Sequence, residues 1–377
     1  MKRKKLVIIS HTEHYLKDGE YVGWGSTINE VNYLADYWNE VVHVACLHKT
    51  KAPNSSLPYT KNNIKFSPIP NYGGDSFLSK VKIISKAPRI LYTIYKNSKG
   101  ASEIQLRLPT SMGLYLLPFF KFFMPRKFTF WVKYAGDWGQ KNPPLANKIQ
   151  RYWLKKNWSD CKVTINGFWP NQPKHCYSFE NPCLTQSDIT AGRIIAQNKN
   201  FSKPFTFCFV GRFEDVKGVS ILLEALKKIP TEMIDKIHLI GDGQKMNKYM
   251  IEAQELGNKV IFHGFLENKE LHQFVSSSHF LLLPSKAEGF PKVVAEAACY
   301  GTISIVSNVG SISHYIDKNN GFLWDINDKS VSFDDVFTKA IYTTPNELKQ
   351  ISINVINLAE LFTFDNYLNK LKINMLK

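Results

Sequence analysis

The sequence predicts an α/β protein with two doubly wound domains, because both halves alternate short apolar runs with amphipathic segments. In the first half, Leu6–Ser10 is typical of a buried parallel strand. A loop is expected next, ending in Gly23-Trp24-Gly25, and Thr27-x-x-Glu30 is typical of a capping box that begins a helix over 27–39. Val41–Leu47 completes a βαβ unit.

The second half repeats this alternation more clearly. Strands are expected at Phe205–Val210, Ile237–Ile240, Val260–Phe262, Phe280–Leu283 and Ile303–Val306, and helices at Val219–Lys228 and Lys245–Leu256. We therefore expect an N-terminal domain over 1–180, a linker over 181–203 that lacks clear periodicity, and a C-terminal domain over 204–345. Helices over 346–377 are expected to pack back toward the N-terminal domain.

The net positive charge of the chain comes entirely from the first half. Residues 1–180 contain 27 Lys and Arg against 11 Asp and Glu, whereas residues 181–377 contain 21 of each kind. Such a field favours an anionic partner, for example a membrane surface, although a role in solubility alone is the simpler alternative. Since no nucleic-acid-binding module is recognisable, nucleic acid is not expected as a partner.

Two stretches mix basic with large apolar residues. Residues 77–99 contain six Lys and Arg and no acid, and residues 114–134 combine aromatic residues with Lys and Arg. This pattern suits a segment lying at a lipid headgroup layer, and it suits an ordinary core helix with solvated lysines equally well.

The six cysteines are scattered and form no Cys-x-x-Cys pair, which disfavours a disulfide framework or a structural zinc site. Reduced, mostly buried thiols suit a cytoplasmic protein. His11-x-x-His14 lacks the order of a metalloprotease motif, so no metal site is expected.

Two cations follow the strand Phe205–Val210. Arg212 and Lys217 lie beyond its carboxyl end, where open α/β sheets bind ligands, and Lys217-Gly218 precedes the next helix. Cations together with the N–H groups of a helix start predict a site for a phosphate or diphosphate. Solvated side chains are the alternative.

The segment after the strand Phe280–Leu283 is more specific. Glu288 comes just before a predicted helix and Glu296 lies within it, while Gly289 allows a ligand to approach the backbone and Pro291 suits the first helical turn. A carboxylate, an anion-binding helix start and a second carboxylate match a nucleotide sugar in the order sugar, diphosphate, ribose. Alternatively, Glu288 caps the helix and Glu296 is exposed.

Four motifs together resemble a known family. They are Gly211-Arg212-x4-Lys217-Gly218, Gly241-Asp242-Gly243, Val260-x-Phe262-x-Gly264 and Glu288-Gly-Phe-Pro-x4-Glu296. Their order and the Glu-x7-Glu spacing are similar to the C-terminal domain of GT-B glycosyltransferases of family 4, over about 204–325. The N-terminal half is less similar, with Gly23-x-Gly25 resembling the family's glycine-rich loop.

The resemblance implies two Rossmann-like domains that face a cleft and a retaining, metal-independent transfer from a UDP- or GDP-sugar. Arg212 and Lys217 would bind the donor diphosphate, Glu288 the sugar hydroxyls and Glu296 the ribose. Further donor contacts are expected at Gly23, Gly25, Gly211, Gly241, His263, Gly289, Phe290 and Pro291. No cofactor is implied beyond the nucleotide sugar.

Three positions carry expectations that stay open. Many relatives have a histidine where this chain reads Ala135-Gly136-Asp137-Trp138, so Asp137 is a candidate for an acceptor or donor-sugar contact. Arg107 either points into the cleft or is a buried structural arginine. His263 lies near the nucleotide base or is part of the fold.

These observations predict a bacterial glycosyltransferase, hexosyl- or N-acetylhexosaminyl-transferring, that acts in surface polysaccharide biosynthesis at the inner face of the cell membrane. The basic N-terminal domain suits a polyprenyl-diphosphate-linked glycan acceptor. A nucleotide-sugar epimerase or a non-catalytic sugar-nucleotide- or lipid-binding protein are the alternatives.

Overall fold

The computed structural model describes residues 3–72, 77–125 and 127–376, with side chains omitted for 77–82. Lys80 and Lys82, in the first basic stretch, and Arg126, in the second, therefore lie outside the described side chains or residues. The chain divides into two compact units, one comprising residues 1–179 and 368–377 and the other residues 180–367.

The first unit is an α/β structure around one large sheet. Its elements are β1 (Arg3–Lys17), β2 (Glu20–Trp24), α1 (Gly25–Ala35), β3 (Trp38–Leu47), β4 (Ser56–Pro58), β5 (Ile64–Pro70), α2 (Phe77–Ser98), β6 (Glu103–Leu108), α3 (Gly113–Phe122), β7 (Thr129–Tyr134), α4 (Leu145–Lys155), β8 (Lys162–Asn166) and β9 (Cys176–Phe179). The parallel strands run in the order β5-β3-β1-β6-β7-β8-β9, which is doubly wound about β1.

The prediction of a loop between Ser10 and Gly25 is wrong. β1 continues through a bulge after Ile9 to Lys17 and turns back antiparallel into β2, with His14 opposite Gly23. Gly23 lies in this hairpin, where a Cβ would stand 2.6 Å from the His14 ring, and Gly25 is the first residue of α1. Both glycines are therefore needed for close packing within the unit.

The second unit has a six-stranded parallel sheet. Its elements are α5 (Gln186–Asn198), β10 (Phe205–Val210), α6 (Val219–Lys227), β11 (Ile234–Ile240), α7 (Met246–Glu252), β12 (Val260–Gly264), α8 (Asn268–Ser277), β13 (Phe280–Leu283), α9 (Lys292–Cys299), β14 (Ile303–Ser307), β15 (Gly321–Trp324), α10 (Phe333–Tyr342), α11 (Pro345–Leu361) and α12 (Phe364–Asn374), whose last residues belong to the first unit. The sheet order is β12-β11-β10-β13-β14-β15, again doubly wound.

The segment expected to be a linker differs in the structure. Residues 186–198 form α5, because Thr185 and Asp188 make a capping box that satisfies the first backbone N–H groups of the helix. Gly192 of α5 lies against α9, where a Cβ would stand 2.2 Å from the carbonyl oxygen of Cys299. Residues 186–198 are thus an integral layer of the second unit.

Of the two basic stretches, 77–99 is almost entirely α2, whereas 114–134 covers most of α3 and all of β7. In α2, Ile90 and Ile94 are buried, whereas Ile84 and Tyr92 are exposed. In α3, Leu116 and Leu117 are buried, and Phe122 is exposed. Within the described residues, no helix is both long and apolar enough to cross a membrane.

Candidate functional site

The strand order of the second unit locates a binding edge. The order reverses between the neighbouring parallel strands β10 and β13, so the connections that follow them diverge to opposite faces of the sheet. A crevice opens at the carboxyl ends of the strands at such a switch point. Residues 211–218 follow β10, and residues 284–291 follow β13.

The two connections are held together by their backbones. The Lys286 N–H donates a hydrogen bond to the Val216 carbonyl at 2.7 Å. Gly218 has a φ of +72°, and a Cβ there would stand 2.1 Å from the Pro284 carbonyl oxygen. Only glycine fits this approach, so the residues on either side of the crevice are fixed relative to one another.

An ion pair joins the two sides. Lys217 Nζ donates to Glu288 Oε1 at 2.6 Å, and the side chains are only 20% and 9% exposed, respectively. The sequence motifs predict both residues in the site, but they do not predict the ion pair between them. Their opposite charges at the ends of adjacent strands were the available signal.

Arg212 lies on the same connection as Lys217 but points toward solvent. Its side chain is 74% exposed, and Nη1 contacts Glu214 at 3.2 Å. An exposed pair of this kind is weak and readily exchanged. The guanidinium is therefore available to an anionic ligand at small energetic cost.

Glu296 is a buried carboxylate in α9. It is 8% exposed, and burial raises its pKa, an effect that His272 and Lys292 oppose. Within the described part of the chain no side chain or backbone group hydrogen-bonds to it. Its carboxylate oxygens can therefore accept hydrogen bonds from the hydroxyl groups of a ligand.

Other expected donor contacts serve the packing of the second unit. The Phe290 side chain is buried and stacks on Phe362, with ring centroids 4.5 Å apart, while Pro291 caps α9. Gly241 has a φ of +137°, and its Cβ would stand 1.9 Å from the carbonyl oxygen of Gly211. Any contact of Gly211, Gly241, Phe290 and Pro291 with a ligand would use their backbone.

His263 is engaged with a second histidine. Its Nε2 lies 2.9 Å from Nδ1 of His238, and its ring packs on Phe274 at 4.1 Å. Burial lowers the pKa of both imidazoles, that of His238 to about 4. The imidazole is therefore neutral at pH 7 and in contact with the core of the second unit, while its position near the nucleotide base stays a prediction.

Gly289 differs from these glycines. It has no positive φ, and a Cβ placed on it would meet no atom within 4 Å. Neither backbone strain nor packing therefore requires glycine between Glu288 and Phe290. Close approach of a ligand to the backbone is the reason that remains.

In the first unit, Arg107 is a buried structural arginine, which is one of the two alternatives that the sequence left open. Its Nη2 donates to Glu30 Oε1 at 2.9 Å, and Lys133 Nζ donates to both carboxylate oxygens of Glu30 at 2.8 and 2.7 Å. All three side chains are less than a tenth exposed. The capping box expected of Thr27 and Glu30 is wrong, because α1 begins at Gly25 and the Glu30 carboxylate binds these two cations instead. Lys133 is distant in sequence and carries no local motif that could have predicted the pair.

Asp137 follows β7, at the carboxyl edge of the first sheet. Its Oδ1 accepts the Gly139 N–H at 2.8 Å, and burial raises the pKa of the carboxyl group. The Asp137 side chain is thus used in a local turn.

A chain of buried polar groups lies beside the hairpin. Ser10 Oγ is 2.8 Å from His43 Nε2, and the Tyr59 hydroxyl is 2.7 Å from both His43 Nδ1 and His14 Nε2. Burial lowers the pKa of His14 to about 4 and that of His43 well below its usual value. Both imidazoles are therefore neutral at pH 7.

The burial of these two neutral histidines predicts that the protein loses stability at acidic pH. Because the folded pKa of His14 is below the unfolded value near 6.5, protons favour the unfolded state as the pH falls. Between pH 7 and 5, we expect His14 alone to lower the free energy of unfolding by about 2 kcal/mol. Urea titrations at both pH values measure the loss, and His14→Gln should reduce its size. An equal loss in that variant would contradict the assignment.

Within residues 3–72, 77–125 and 127–376, no group of three or more His, Cys, Asp and Glu is placed to hold a metal ion. The edge at β10 and β13 instead offers two cations, a carboxylate beside one of them and a second carboxylate in the adjoining helix. This arrangement can bind an anionic group next to hydroxyl groups.

The segment that contains this binding edge is similar to a known family. Residues 191–352 match the family described as "Glycosyl transferases group 1". They form a glycosyltransferase group 1 domain. The domain includes every site residue of the second unit named above, from Gly211 to Glu296.

Curated relatives match over about a third of the chain. A lipopolysaccharide 1,6-galactosyltransferase of Salmonella typhimurium is 31% identical over 137 residues, 35% of this chain and 38% of the relative. An uncharacterized 41.2 kDa protein in the cps region of Klebsiella pneumoniae is 32% identical over 133 residues, 35% of this chain and 36% of the relative. The chain thus spans little more than a third of the length of these two relatives.

Solved structures match over nearly the whole chain. A sucrose-phosphate synthase from Thermosynechococcus elongatus has a TM-score of 0.70 at 17% identity, and Anabaena HepE in complex with UDP-glucose has 0.65 at 15% identity. Each match covers 98% of both chains. The prediction of a GT-B fold with two Rossmann-like domains is therefore confirmed.

Gly289 gives a direct test of ligand approach in the glycosyltransferase domain. We expect Gly289→Ala to leave the melting temperature unchanged, because the added methyl group meets open space, and to weaken nucleotide-sugar binding at least tenfold by crowding the ligand. Isothermal titration measures the affinity. Gly257→Ala, at a positive φ in the same unit, is the control and should affect stability alone. Undiminished affinity in Gly289→Ala would show that no ligand approaches there.

Proposed function

We propose that this protein is a retaining, metal-independent glycosyltransferase of family 4 that transfers a sugar from a UDP- or GDP-sugar to a glycan acceptor. The observation that carries the proposal is the Lys217–Glu288 ion pair at the switch point of a glycosyltransferase group 1 domain. A cation and a carboxylate in contact there match the diphosphate and the adjoining sugar of a nucleotide sugar.

Each polar group has a separate task in this proposal. Arg212 and Lys217 bind the diphosphate and stabilise the negative charge that grows on it as the sugar leaves, which is the task a metal ion has in other transferases. Glu288 accepts hydrogen bonds from the donor sugar, and Glu296 accepts them from the ribose. The backbone at Gly211, Gly241 and 289–291 surrounds the nucleotide, beside His263.

The transfer itself needs no protein nucleophile. The acceptor oxygen attacks the anomeric carbon on the face that the nucleotide leaves, so a carbon–oxygen bond to the acceptor forms as the bond to the phosphate breaks. The acceptor proton passes to a phosphate oxygen of the departing nucleotide. Configuration is thereby retained, and the protein contributes charge stabilisation and positioning.

The acceptor is assigned to the first unit. Its positive charge favours an anionic, membrane-bound glycan such as one linked to polyprenyl diphosphate, reached by peripheral association with the inner face of a bacterial membrane. Asp137 is a candidate for a contact with the acceptor or the donor sugar, and Gly23 and Gly25 are candidates for contacts with the donor. Surface polysaccharide biosynthesis is supported by the names of the Salmonella and Klebsiella relatives. Relatives named as galactosyl- and N-acetylglucosaminyl-transferases support a hexosyl or N-acetylhexosaminyl donor.

A donor panel tests the proposal. UDP- and GDP-sugars are added singly, thermal melting reports binding, and nucleotide release is followed with and without bacterial membrane extract. We expect one donor to raise the melting temperature and to release nucleotide when extract is present. Binding without release would indicate a binding protein, and conversion of the free donor without acceptor would indicate an epimerase, so either outcome would overturn the proposal.

A further inference from the structure

Helix α4 of the first unit has a second apolar side. Gln150 and Leu154 are buried and face the interior, which gives the helix its packing side. Leu145, Ile149 and Tyr152 are 73%, 46% and 52% exposed. Their i, i+4, i+7 spacing aligns them in one row along the helix, away from the side that packs on the unit.

The row continues beyond the end of the helix. Trp158 is 46% exposed, and its ring contacts that of Tyr152 edge to face, with centroids 5.4 Å apart. We call Leu145, Ile149, Tyr152 and Trp158 the α4 face. Four large exposed apolar side chains in one row are unusual on a solvated helix and mark an interaction surface.

The segment that carries the α4 face has charged residues of one sign. Residues 141–158 contain Lys141, Lys148, Arg151, Lys155 and Lys156 and no acidic residue. Arg151 hydrogen-bonds to the carbonyls of Trp138 and Gln140, and the ammonium group of Lys156 lies 5.8 Å from the Tyr152 ring. Among the ion pairs of the described residues, none includes a residue of 141–158.

We propose that the α4 face binds the surface of an anionic lipid bilayer. Apolar side chains enter the boundary between headgroups and acyl chains, while Lys148, Lys155 and Lys156 contact lipid phosphates. Cations next to an anionic lipid surface strengthen the binding. This deepens the proposed function, since it names the segment through which the enzyme reaches a membrane-bound acceptor.

The same charges disfavour a second copy of the chain as the occupant. Two α4 faces in contact would bring two sets of like charges together without an acidic residue in either segment. A lipid bilayer supplies the opposite charge and the apolar layer at once. Neither of the two basic stretches identified in the sequence, 77–99 and 114–134, includes these residues.

Flotation with vesicles tests this inference. Wild-type protein is mixed at low salt with vesicles of phosphatidylcholine alone or with about one third phosphatidylglycerol. We expect flotation with the anionic vesicles, and at least a tenfold loss of bound protein in the Ile149→Glu/Tyr152→Glu variant. The control is Met250→Glu/Ile251→Glu on α7, where two exposed apolar residues receive the same charges. It should float like the wild type.

Three results would overturn the inference. They are wild-type protein that stays in the lower fraction with anionic vesicles, a loss of flotation in the α4 variant that the α7 control matches, and a wild-type dimer without vesicles that the α4 variant abolishes. Thermal melting establishes that both variants fold. The donor panel is independent of vesicles, so failure of the α4 face and failure of the proposed enzyme give different results.

Discussion

Glu288→Gln is expected to lower acceptor-dependent nucleotide release by a factor of about 10² to 10³, the usual effect of removing one preorganised charged group from a transfer site. The substitution keeps the size of the side chain but removes the charge that pairs with Lys217 at 2.6 Å. Lys217 would then lose its fixed position, and the donor sugar would lose its strongest hydrogen-bond acceptor. Nucleotide release at saturating donor, with membrane extract as the acceptor source, measures the effect.

The matched control removes a charge elsewhere in the same unit. Lys228 is exposed and pairs with Asp334, so Lys228→Ala should alter release less than about twofold. Lys217→Ala should resemble Glu288→Gln, because it breaks the same pair from the other side. Release that is unchanged in both site variants would remove Lys217 and Glu288 from the mechanism, whatever the donor is.

Glu30→Gln is expected to destabilise the first unit by about 3–5 kcal/mol, because it leaves two buried cations without their anion. Arg107 and Lys133 both donate to this carboxylate, and all three side chains are almost fully buried. Urea unfolding followed by tryptophan fluorescence measures the change.

Two comparisons separate charge from packing. Glu40→Gln removes the acid of an exposed pair with Lys65 and should cost less than about 1 kcal/mol. Adding Lys133→Met to Glu30→Gln removes one of the two cations that lose this carboxylate and should recover part of the loss. If the double variant is less stable than Glu30→Gln alone, the buried charges are not what holds this network together.

The strands and the candidate site residues of the second unit were largely predictable, because short sequence motifs mark its binding edge. Arg212, Lys217, Glu288 and Glu296 each lie within a few residues of a strand end or a helix start, and parallel strands bring those ends to one edge. The pairing of Lys217 with Glu288 could not be read from spacing, since it depends on β10 and β13 being neighbours.

The structure of the first unit was harder to predict, because several of its polar residues lie on a buried strand. Ser10 and His14 are typical of a loop in sequence, yet they lie on β1, where their side chains hydrogen-bond to His43 and Tyr59, respectively. Local patterns do not show such distant partners. The helix α5 was missed although Thr185 and Asp188, three residues apart, were a readable start signal.

The division of the chain has a consequence for its biosynthesis. The second unit is one continuous stretch, residues 180–367, whereas the first combines residues 1–179 with 368–377. Leu371, Met375 and Leu376 are buried, and Lys162 donates to the carbonyl of Asn374. On the ribosome, the first unit therefore cannot complete its fold until residues 368–377 have been made, although residues 1–179 emerge first. A substitution within residues 368–377 acts on the unit that begins the sequence.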